Sequence, residues 1–210
     1  MNSGARIVPA DRAGIRRAAQ WIHRGQVVAV PTDTVYGLAA HSALAEAILK
    51  LYAIKERDRL KAIPLLIGSA VDLAGVASSV PVWAGLLAER FWPGPVTLVV
   101  PSAASVLPVL TGGAGSVAVR VPNHPVALAL IESVGAPLAV TSANLSGAPE
   151  TTTAAEVRLV LGDRLPLILD AGPCPGGVAS TVVDTTRDPP VILRRGARVE
   201  EVERLLGQGV

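Results

Sequence analysis

The chain of 210 residues is poor in the residue types on which several classes of protein depend. Its single cysteine, Cys174, excludes an internal disulfide framework and favours a reducing compartment. One cysteine and three histidines, without ligand-type spacing, give no pattern for a zinc site. Aromatic residues make up only 3% of the chain, so the core must consist mainly of Val, Leu, Ile and Ala.

Long apolar runs are also missing, because Pro, Gly or a charged residue interrupts every candidate for a membrane helix. The first residues lack the apolar stretch of a targeting segment. We therefore expect a cytoplasmic protein without a membrane partner. The net charge of +2 is too small to indicate nucleic-acid binding by itself. The length suits a single domain over residues 1–210.

Lysine occurs only three times, and all three lysines fall in one short segment with Arg57 and Arg59. Two interpretations remain open for this segment. It can be a solvated helix end, since cations stabilise a helix C-terminus. Alternatively it is a polyphosphate clamp, in which lysine supplies a point charge and arginine a fork that matches phosphate oxygens.

No Walker-type phosphate loop is present. The glycine-rich residues 111–116 lack the lysine of that motif and lead into a predicted strand, so they are interpreted as a turn. A nucleotide would therefore have to be held by side chains such as Lys55, Arg57, Ser116 and Arg194.

Apolar periodicity and turn residues predict an alternation of helices and strands. Strands are expected at residues 27–30, 63–67, 96–100, 117–121, 138–140, 167–169, 181–184 and 191–193. Helices are expected at residues 11–24, 42–54, 71–76, 81–91, 124–134, 153–161 and 199–206, with a capping box at the start of the sixth. The pattern predicts an α/β fold with a twisted, mixed but largely parallel sheet flanked by helices. Residues 172–177 are rich in Gly and Pro and are interpreted as a mobile loop.

Two strands run into polar, hydroxyl-rich segments. Residues 30–39 read VPTDTVYGLA and residues 137–147 read PLAVTSANLSG. Such polar groups at the carboxyl edge of a sheet are typical of ligand sites in open α/β folds, so the two segments predict one shared pocket. The alternative for the first segment is a Thr/Asp cap on a following helix.

Arg120 lies within an otherwise apolar strand and therefore needs a partner. An internal pair with Asp33 or Asp184 would satisfy it. A second possibility is that the guanidinium fork binds the carboxylate of a ligand.

Five segments stand in an order that resembles YrdC/TsaC-type threonylcarbamoyl-AMP synthases of the short, single-domain form. They are PTDTVYGLAA (31–40), KER (55–57), FWPGPVT (91–97), SVAVRVP (116–122) and TSANLSG (141–147), and the resemblance extends roughly over residues 7–196. It implies a YrdC-like fold with a concave basic pocket. It also implies that ATP, L-threonine and bicarbonate form threonylcarbamoyl-AMP and pyrophosphate, with Mg²⁺ accompanying ATP, for threonylcarbamoyladenosine modification of tRNA. A downstream tRNA threonylcarbamoyl transferase complex and weak tRNA binding would follow.

The same resemblance implies roles for individual residues. Lys55 and Arg57 are expected to act in catalysis. L-threonine would be bound by Thr34, Arg120, Thr141 and Ser180. The nucleotide would be bound by Lys55, Arg57, Lys61, Ser116, Ser142, Asn144, Thr152 and Arg194, and no residue is expected to bind a metal. Gly68 stands where many relatives carry a histidine that contacts threonine.

Two other functions compete with this prediction. One is an RNA-binding module of the same fold, against which the low net charge and few aromatics count. The other is a carbamoyl-transfer domain like that of hydrogenase maturation proteins, whose zinc-finger and acylphosphatase modules this chain has no room for.

Overall fold

The fold is described from a computed structural model over residues 5–207. Within these residues a single sheet of ten strands is covered by helices on both faces. The strands are β1 (Arg6–Pro9), β2 (Val28–Val30), β3 (Gly37–His41), β4 (Leu65–Leu66), β5 (Val96–Pro101), β6 (Ser116–Arg120), β7 (Leu138–Ser142), β8 (Leu167–Asp170), β9 (Thr181–Asp184) and β10 (Val191–Arg194). The α-helices are α1 (Arg12–His23), α2 (Ala45–Lys55), α3 (Val82–Phe91), α4 (Pro108–Thr111), α5 (Pro125–Val134), α6 (Ala154–Leu161) and α7 (Val199–Gly207).

The strand order is β1-β8-β2-β3-β7-β4-β6-β5-β9-β10. Five of the nine neighbouring pairs are antiparallel, namely β2–β3, β3–β7, β7–β4, β6–β5 and β9–β10. The predicted mixed sheet with flanking helices is confirmed, but the prediction that it is largely parallel is wrong.

Short connections explain this direction of the strands. Six residues, 31–36, join β2 to β3, and six more, 185–190, join β9 to β10. A parallel neighbour needs a crossover of a dozen or more residues, so both connections force the chain to reverse. Strand β3 is not among the strands that the sequence predicts, because its residues GLAAH contain no β-branched side chain.

The sheet separates two layers of core. Helices α1 and α5 cover one face with small and aliphatic side chains such as Ala18, Ile22 and Leu130. Helices α2, α3, α6 and α7 cover the other face, where Leu51 and Leu87 are fully buried. The expected aliphatic core is confirmed, and it gives the site a rigid support.

Gly37 permits the close approach of β3 to β7. A Cβ atom at this position would lie 2.7 Å from a methyl group of Val140, closer than real Cβ contacts occur. The absence of a side chain here keeps the face of the sheet open beside the segment that precedes β3.

Candidate functional site

A small cavity of about 70 Å³ lies on the face of the sheet that carries α1 and α5. Five adjacent strands contribute to its lining, through Gly37, Val140, Leu66, Arg120 and Thr97. Both hydroxyl-rich segments border it, so the prediction of one shared pocket is confirmed. The cavity does not lie at a single carboxyl edge of the sheet. Its lining comes from the beginning of β3 and β5 as well as from the end of β4, β6 and β7. The helix-cap alternative for these residues is wrong, since they lead into β3.

Arg120 is buried beside this cavity at the end of β6. Its Nη2 forms an ion pair with Oδ1 of Asp33, its Nη1 donates to Oγ1 of Thr34 at 3.1 Å, and its Nε donates to the carbonyl of Gly94 at 3.0 Å. Burial lowers the pKa of Arg120, and the charge of Asp33 opposes that shift. Of the two internal partners left open by the sequence, the structure selects Asp33, whereas Asp184 pairs with Arg187 at 3.0 Å.

Ser180 lines the cavity and contacts Arg194 of β10. Its hydroxyl lies 2.8 Å from that of Thr97 and accepts a hydrogen bond from Nη2 of Arg194 at 2.9 Å. Nε of Arg194 donates to the carbonyl of Ser180 at 3.0 Å. A predicted threonine ligand and a predicted nucleotide ligand are therefore in direct contact.

Lys55, at the C-terminus of α2, is only 3% exposed and is not the solvated lysine of a helix end. Its ammonium lies 2.6 Å from Oδ1 of Asn144, 3.1 Å from Oγ of Ser142, and within 3.0 Å of both their carbonyl oxygens. Burial and, to a smaller extent, the charge of Arg57 lower the pKa of Lys55 to about 8, although the charge of Glu150 opposes this shift. The lysine thus fixes the loop after β7.

The remaining cations of the site lie near one another. Desolvation lowers the pKa of Arg194, while Glu150 raises it and Arg57 lowers it. Arg194 also lowers the pKa of Arg120. Nε and Nη2 of Arg57 donate to the carbonyls of Lys61 and Ala62 at 3.2 and 3.0 Å, which holds its guanidinium in place. Each member of this row of cations, in the order Lys55, Arg57, Arg194 and Arg120, is therefore within electrostatic range of the next.

Four other predicted ligands are not brought to the cavity by their side chains. Thr141 points to the face of β7 opposite to Ser142, toward the core that α2 covers. Ser116 begins β6 and lies about 13 Å along the strand from Arg120. The side chain of Lys61 is exposed. Thr152 donates from its amide to Glu156 at 2.6 Å, next to the cap of α6.

Residues 172–177, the predicted mobile loop, contain no helix or strand but are held at three points. The hydroxyl of Tyr36 donates to the carbonyl of Gly172 at 3.0 Å, and the amides of Cys174 and Gly177 donate to the carbonyls of Thr152 and Thr34, both at 2.8 Å. The loop lies directly on the segment that carries Asp33 and Thr34. Its mobility stays a prediction.

The larger cavity, about 920 Å³, lies elsewhere, between residues 70–75 and α5. Its lining is mostly aliphatic, and the one position that the sequence analysis singled out there is Gly68. A Cβ at Gly68 would lie 3.2 Å from Oδ2 of Asp72, so a side chain there would require Asp72 to move. We place the candidate site at the smaller cavity because the polar and charged groups converge there.

Two site residues were not identified from the sequence. Glu150 lines the cavity and raises the pKa of both Lys55 and Arg194. The hydroxyl of Thr32 lies 2.9 Å from that of Thr34. Only the TDT triplet pointed to Thr32, and nothing local distinguishes Glu150. Among residues 5–207 no cluster of three metal-ligating side chains occurs, and no helix is long and apolar enough to cross a membrane.

Comparisons with known proteins identify the family that the chain resembles. The sequence model of the Sua5_yciO_yrdC family, described as "Telomere recombination", matches residues 20–196. The threonylcarbamoyl-AMP synthase of Pyrococcus abyssi is 43% identical over 195 residues, which cover 92% of this chain and 57% of that protein. A putative threonylcarbamoyl-AMP synthase of Mycobacterium tuberculosis is 41% identical over 92% of this chain and 89% of that protein.

A solved structure carries the same fold. The crystal structure of P. abyssi Sua5 complexed with L-threonine superimposes with a TM-score of 0.93 and 41% sequence identity. The match covers 97% of this chain and 61% of the other. The chain thus spans little more than half the length of the P. abyssi protein.

Proposed function

Because the chain belongs to the Sua5/YciO/YrdC family, we propose that it is a threonylcarbamoyl-AMP synthase, a nucleotidyltransferase that uses L-threonine, bicarbonate and Mg-ATP. The observation that carries this proposal is the row of cations around one small cavity, which Arg120 lines directly. Arg194 contacts Ser180 and Lys55 contacts Ser142, and both of these serines line the cavity. Arg57 lies within electrostatic range of Lys55 and Arg194. Such a row can neutralise a polyphosphate at one end and a carboxylate at the other.

At the Arg120 end, the cavity suits an amino acid. Its volume of about 70 Å³ is far below the several hundred Å³ of typical drug-sized pockets. The hydroxyl of Thr34 accepts from the guanidinium, and Ser180 lines the same cavity. Both hydroxyls can contact the amino or hydroxyl group of threonine. The L-threonine complex of the P. abyssi protein supports this assignment. Thr141 lies on the other face of its strand, so we propose that any contribution to this subsite is indirect.

At the opposite end, Lys55, Arg57 and Arg194 are proposed to bind the phosphates of Mg-ATP. Lys55 is fixed by Ser142 and Asn144, and Arg57 by two carbonyls, so neither cation has to be ordered when the nucleotide arrives. Ser142 and Asn144 then act through Lys55. Lys61, Ser116 and Thr152 remain proposed nucleotide ligands, and each would contact atoms beyond the row of cations.

The chemistry consists of two bond-forming steps. The amine of threonine attacks the carbon of bicarbonate to give a carbamate and water. A carbamate oxygen then attacks the α-phosphorus, the bond to the β-phosphate oxygen breaks, and pyrophosphate leaves. Lys55 and Arg57 are proposed to stabilise the charge that develops on the phosphates during the second step, while Arg120 holds the carboxylate in place. The product would serve tRNA modification through a downstream transferase complex, in the cytoplasm.

The test is pyrophosphate release from Mg-ATP with L-threonine and bicarbonate each present or omitted, together with mass spectrometry of the nucleotide product. We expect release only with both, and a product with the mass of threonylcarbamoyl-AMP. Release that is indifferent to threonine, or none at all, would contradict the proposal. In that case, salt-sensitive tRNA binding without substrates would favour the RNA-binding alternative, and activity with carbamoyl phosphate would favour carbamoyl transfer.

A further inference from the structure

The ion pair between Arg120 and Asp33 has an unusual pattern of contacts. Both side chains are deeply buried, with 7% and 9% of their surface exposed. Asp33 uses only Oδ1 in the pair, and its Oδ2 is buried without a hydrogen-bond partner among the described residues. A pair that served neutralisation alone would be expected to use both oxygens in a fork-to-fork arrangement.

The hydrogen-bond donors of Arg120 are also only partly used by the protein. A guanidinium has five N–H groups. Three are used within residues 5–207, one each by Asp33, Thr34 and Gly94. Arg120 lines the cavity, and two of its N–H groups thus have no partner among the described residues. Two N–H groups are what a bidentate carboxylate requires.

Among residues 5–207, Asp33 is the only acidic residue that forms an ion pair with Arg120. The second aspartate that the sequence offered, Asp184, is engaged by Arg187 and by the amide and hydroxyl of Thr186. A buried guanidinium donor that loses its acceptor oxygen is destabilised, and the side chain would leave its position if solvent were within reach. Asp33 therefore determines where the guanidinium lies, although it occupies only one of its donors.

We propose that Asp33 is a positioning residue for the amino-acid subsite, which holds the fork of Arg120 so that its two remaining N–H groups receive the substrate carboxylate. This inference rests on the proposed function and adds to it a residue that acts through Arg120. It separates the two interpretations of Arg120 that the sequence left as alternatives, because the internal pair and the ligand contact use different donors of the same side chain.

The test compares Asp33→Ala, Asp33→Asn and, as a matched control, Asp184→Asn, another buried carboxylate with an arginine partner. Asp33→Ala should raise the KM for L-threonine at least tenfold and change the KM for ATP less than twofold. Asp33→Asn keeps an oxygen for Nη2 of Arg120, so its KM for threonine should stay within about threefold of the wild-type value. Asp184→Asn should leave both KM values unchanged.

Three results would overturn the inference: an unchanged threonine KM in Asp33→Ala, an equal rise for both substrates, or the same loss in Asp33→Asn as in Asp33→Ala. Calorimetry of L-threonine binding without ATP provides a readout that does not depend on turnover. If Asp33→Ala does not fold, as circular dichroism would show, Asp33→Asn still decides, because positioning predicts that it retains threonine binding. A wild-type protein without threonine-dependent pyrophosphate release would contradict the proposed function, whereas an active wild type with an insensitive Asp33→Ala would contradict only this inference.

Discussion

Arg120 and Lys55 are both almost completely buried, but they are satisfied in different ways. Arg120 has a charged partner in Asp33. Lys55 has four neutral oxygens of Ser142 and Asn144, and burial lowers its pKa to about 8. At neutral pH Arg120 is part of a neutral ion pair, whereas Lys55 is a cation whose charge is only partly compensated. The polyphosphate of ATP is an anion that could complete that compensation.

At Arg120 we predict that the fork itself is required, beyond the positive charge. Arg120→Lys keeps the charge but loses the planar pair of donors. Loss of one charge-assisted hydrogen bond, about 2 kcal/mol, corresponds to a roughly thirtyfold rise in the KM for threonine. The KM for ATP should change less than threefold, and Arg187→Lys, at an exposed arginine, should alter neither. Steady-state kinetics checks this, and a larger effect on ATP would refute the assigned role.

At Lys55 we predict that ATP binding is linked to proton uptake. In the protein without ATP, Lys55 has a pKa of about 8. A bound polyphosphate would raise this pKa toward the ordinary value of lysine. Near pH 8.5 binding should therefore take up roughly half a proton or more, and affinity should fall as the pH rises through 8. Calorimetry in buffers of different ionisation enthalpy measures this. Lys55→Arg, which stays protonated throughout, should bind without uptake, and equal uptake in both proteins would contradict the prediction.

Among the secondary-structure elements, α6 and the loop over residues 172–177 border the site by different means. Helix α6 begins with the capping box that the sequence predicted, in which Oγ1 of Thr153 accepts from the amide of Glu156 at 3.2 Å. The loop has no regular structure and depends on hydrogen bonds to residues 34, 36 and 152. The helix is thus specified locally and the loop by its neighbours.

For α6 we predict that Thr153→Ala lowers the free energy of unfolding by about 1 kcal/mol, the usual cost of losing an N-cap. Denaturant titration measures this change. The KM for ATP should not change in Thr153→Ala. It should rise in Thr152→Ala if Thr152 is a nucleotide ligand, whose hydroxyl lies 3.2 Å from Glu156 in the free protein. If Thr152→Ala and Thr153→Ala had the same KM for ATP, Thr152 would not be a nucleotide ligand.

For the loop we predict that Gly176→Ala impairs threonine binding. Its Cβ would lie 2.5 Å from the carbonyl oxygen of Asp33 and 3.0 Å from Cα of Thr34, and both are backbone atoms that cannot simply rotate away. The displacement should raise the KM for threonine severalfold. Gly85→Ala is the control, because its Cβ meets no atom within 4 Å and helix α3 gains a better helix former. Equal kinetics in both variants would show that the loop does not support the site.

In the whole molecule, one sheet brings together side chains that are far apart in the chain. Thr34, Arg120, Ser142 and Ser180 come from four separate segments and border one cavity. They meet because β3, β7, β4, β6 and β5 are neighbours in the sheet although their order in the chain differs. Two aliphatic layers hold this sheet on either side.

We predict that the core contributes to stability independently of the site. Leu98 is fully buried in the middle of β5, between Val119 and Val183 on the neighbouring strands. Leu98→Ala should lower the free energy of unfolding by about 3 kcal/mol, the usual cost of such a cavity. Leu159→Ala, at a residue that is 87% exposed, should cost less than about 0.5 kcal/mol. Chemical denaturation measures both, and similar values for the two would be inconsistent with this packing.

The sequence by itself determined what local patterns encode. The helical periodicity of residues 12–23, the capping box at Thr153 and the β-branched run of β6 are confirmed nearly to their limits. So is the shared pocket of the two hydroxyl-rich segments, because both segments carry polar side chains that a core would not accept.

Only the tertiary structure decided how distant segments pair. It placed β3, which has weak strand propensity, between β2 and β7, and short connections made the pairs β2–β3 and β9–β10 antiparallel. It selected Asp33 over Asp184 for Arg120, turned Thr141 away from Ser142, and brought Glu150 within electrostatic range of Lys55 and Arg194. Local propensity acts within a few residues, whereas direction, register and the face that a side chain occupies depend on which strand becomes the neighbour.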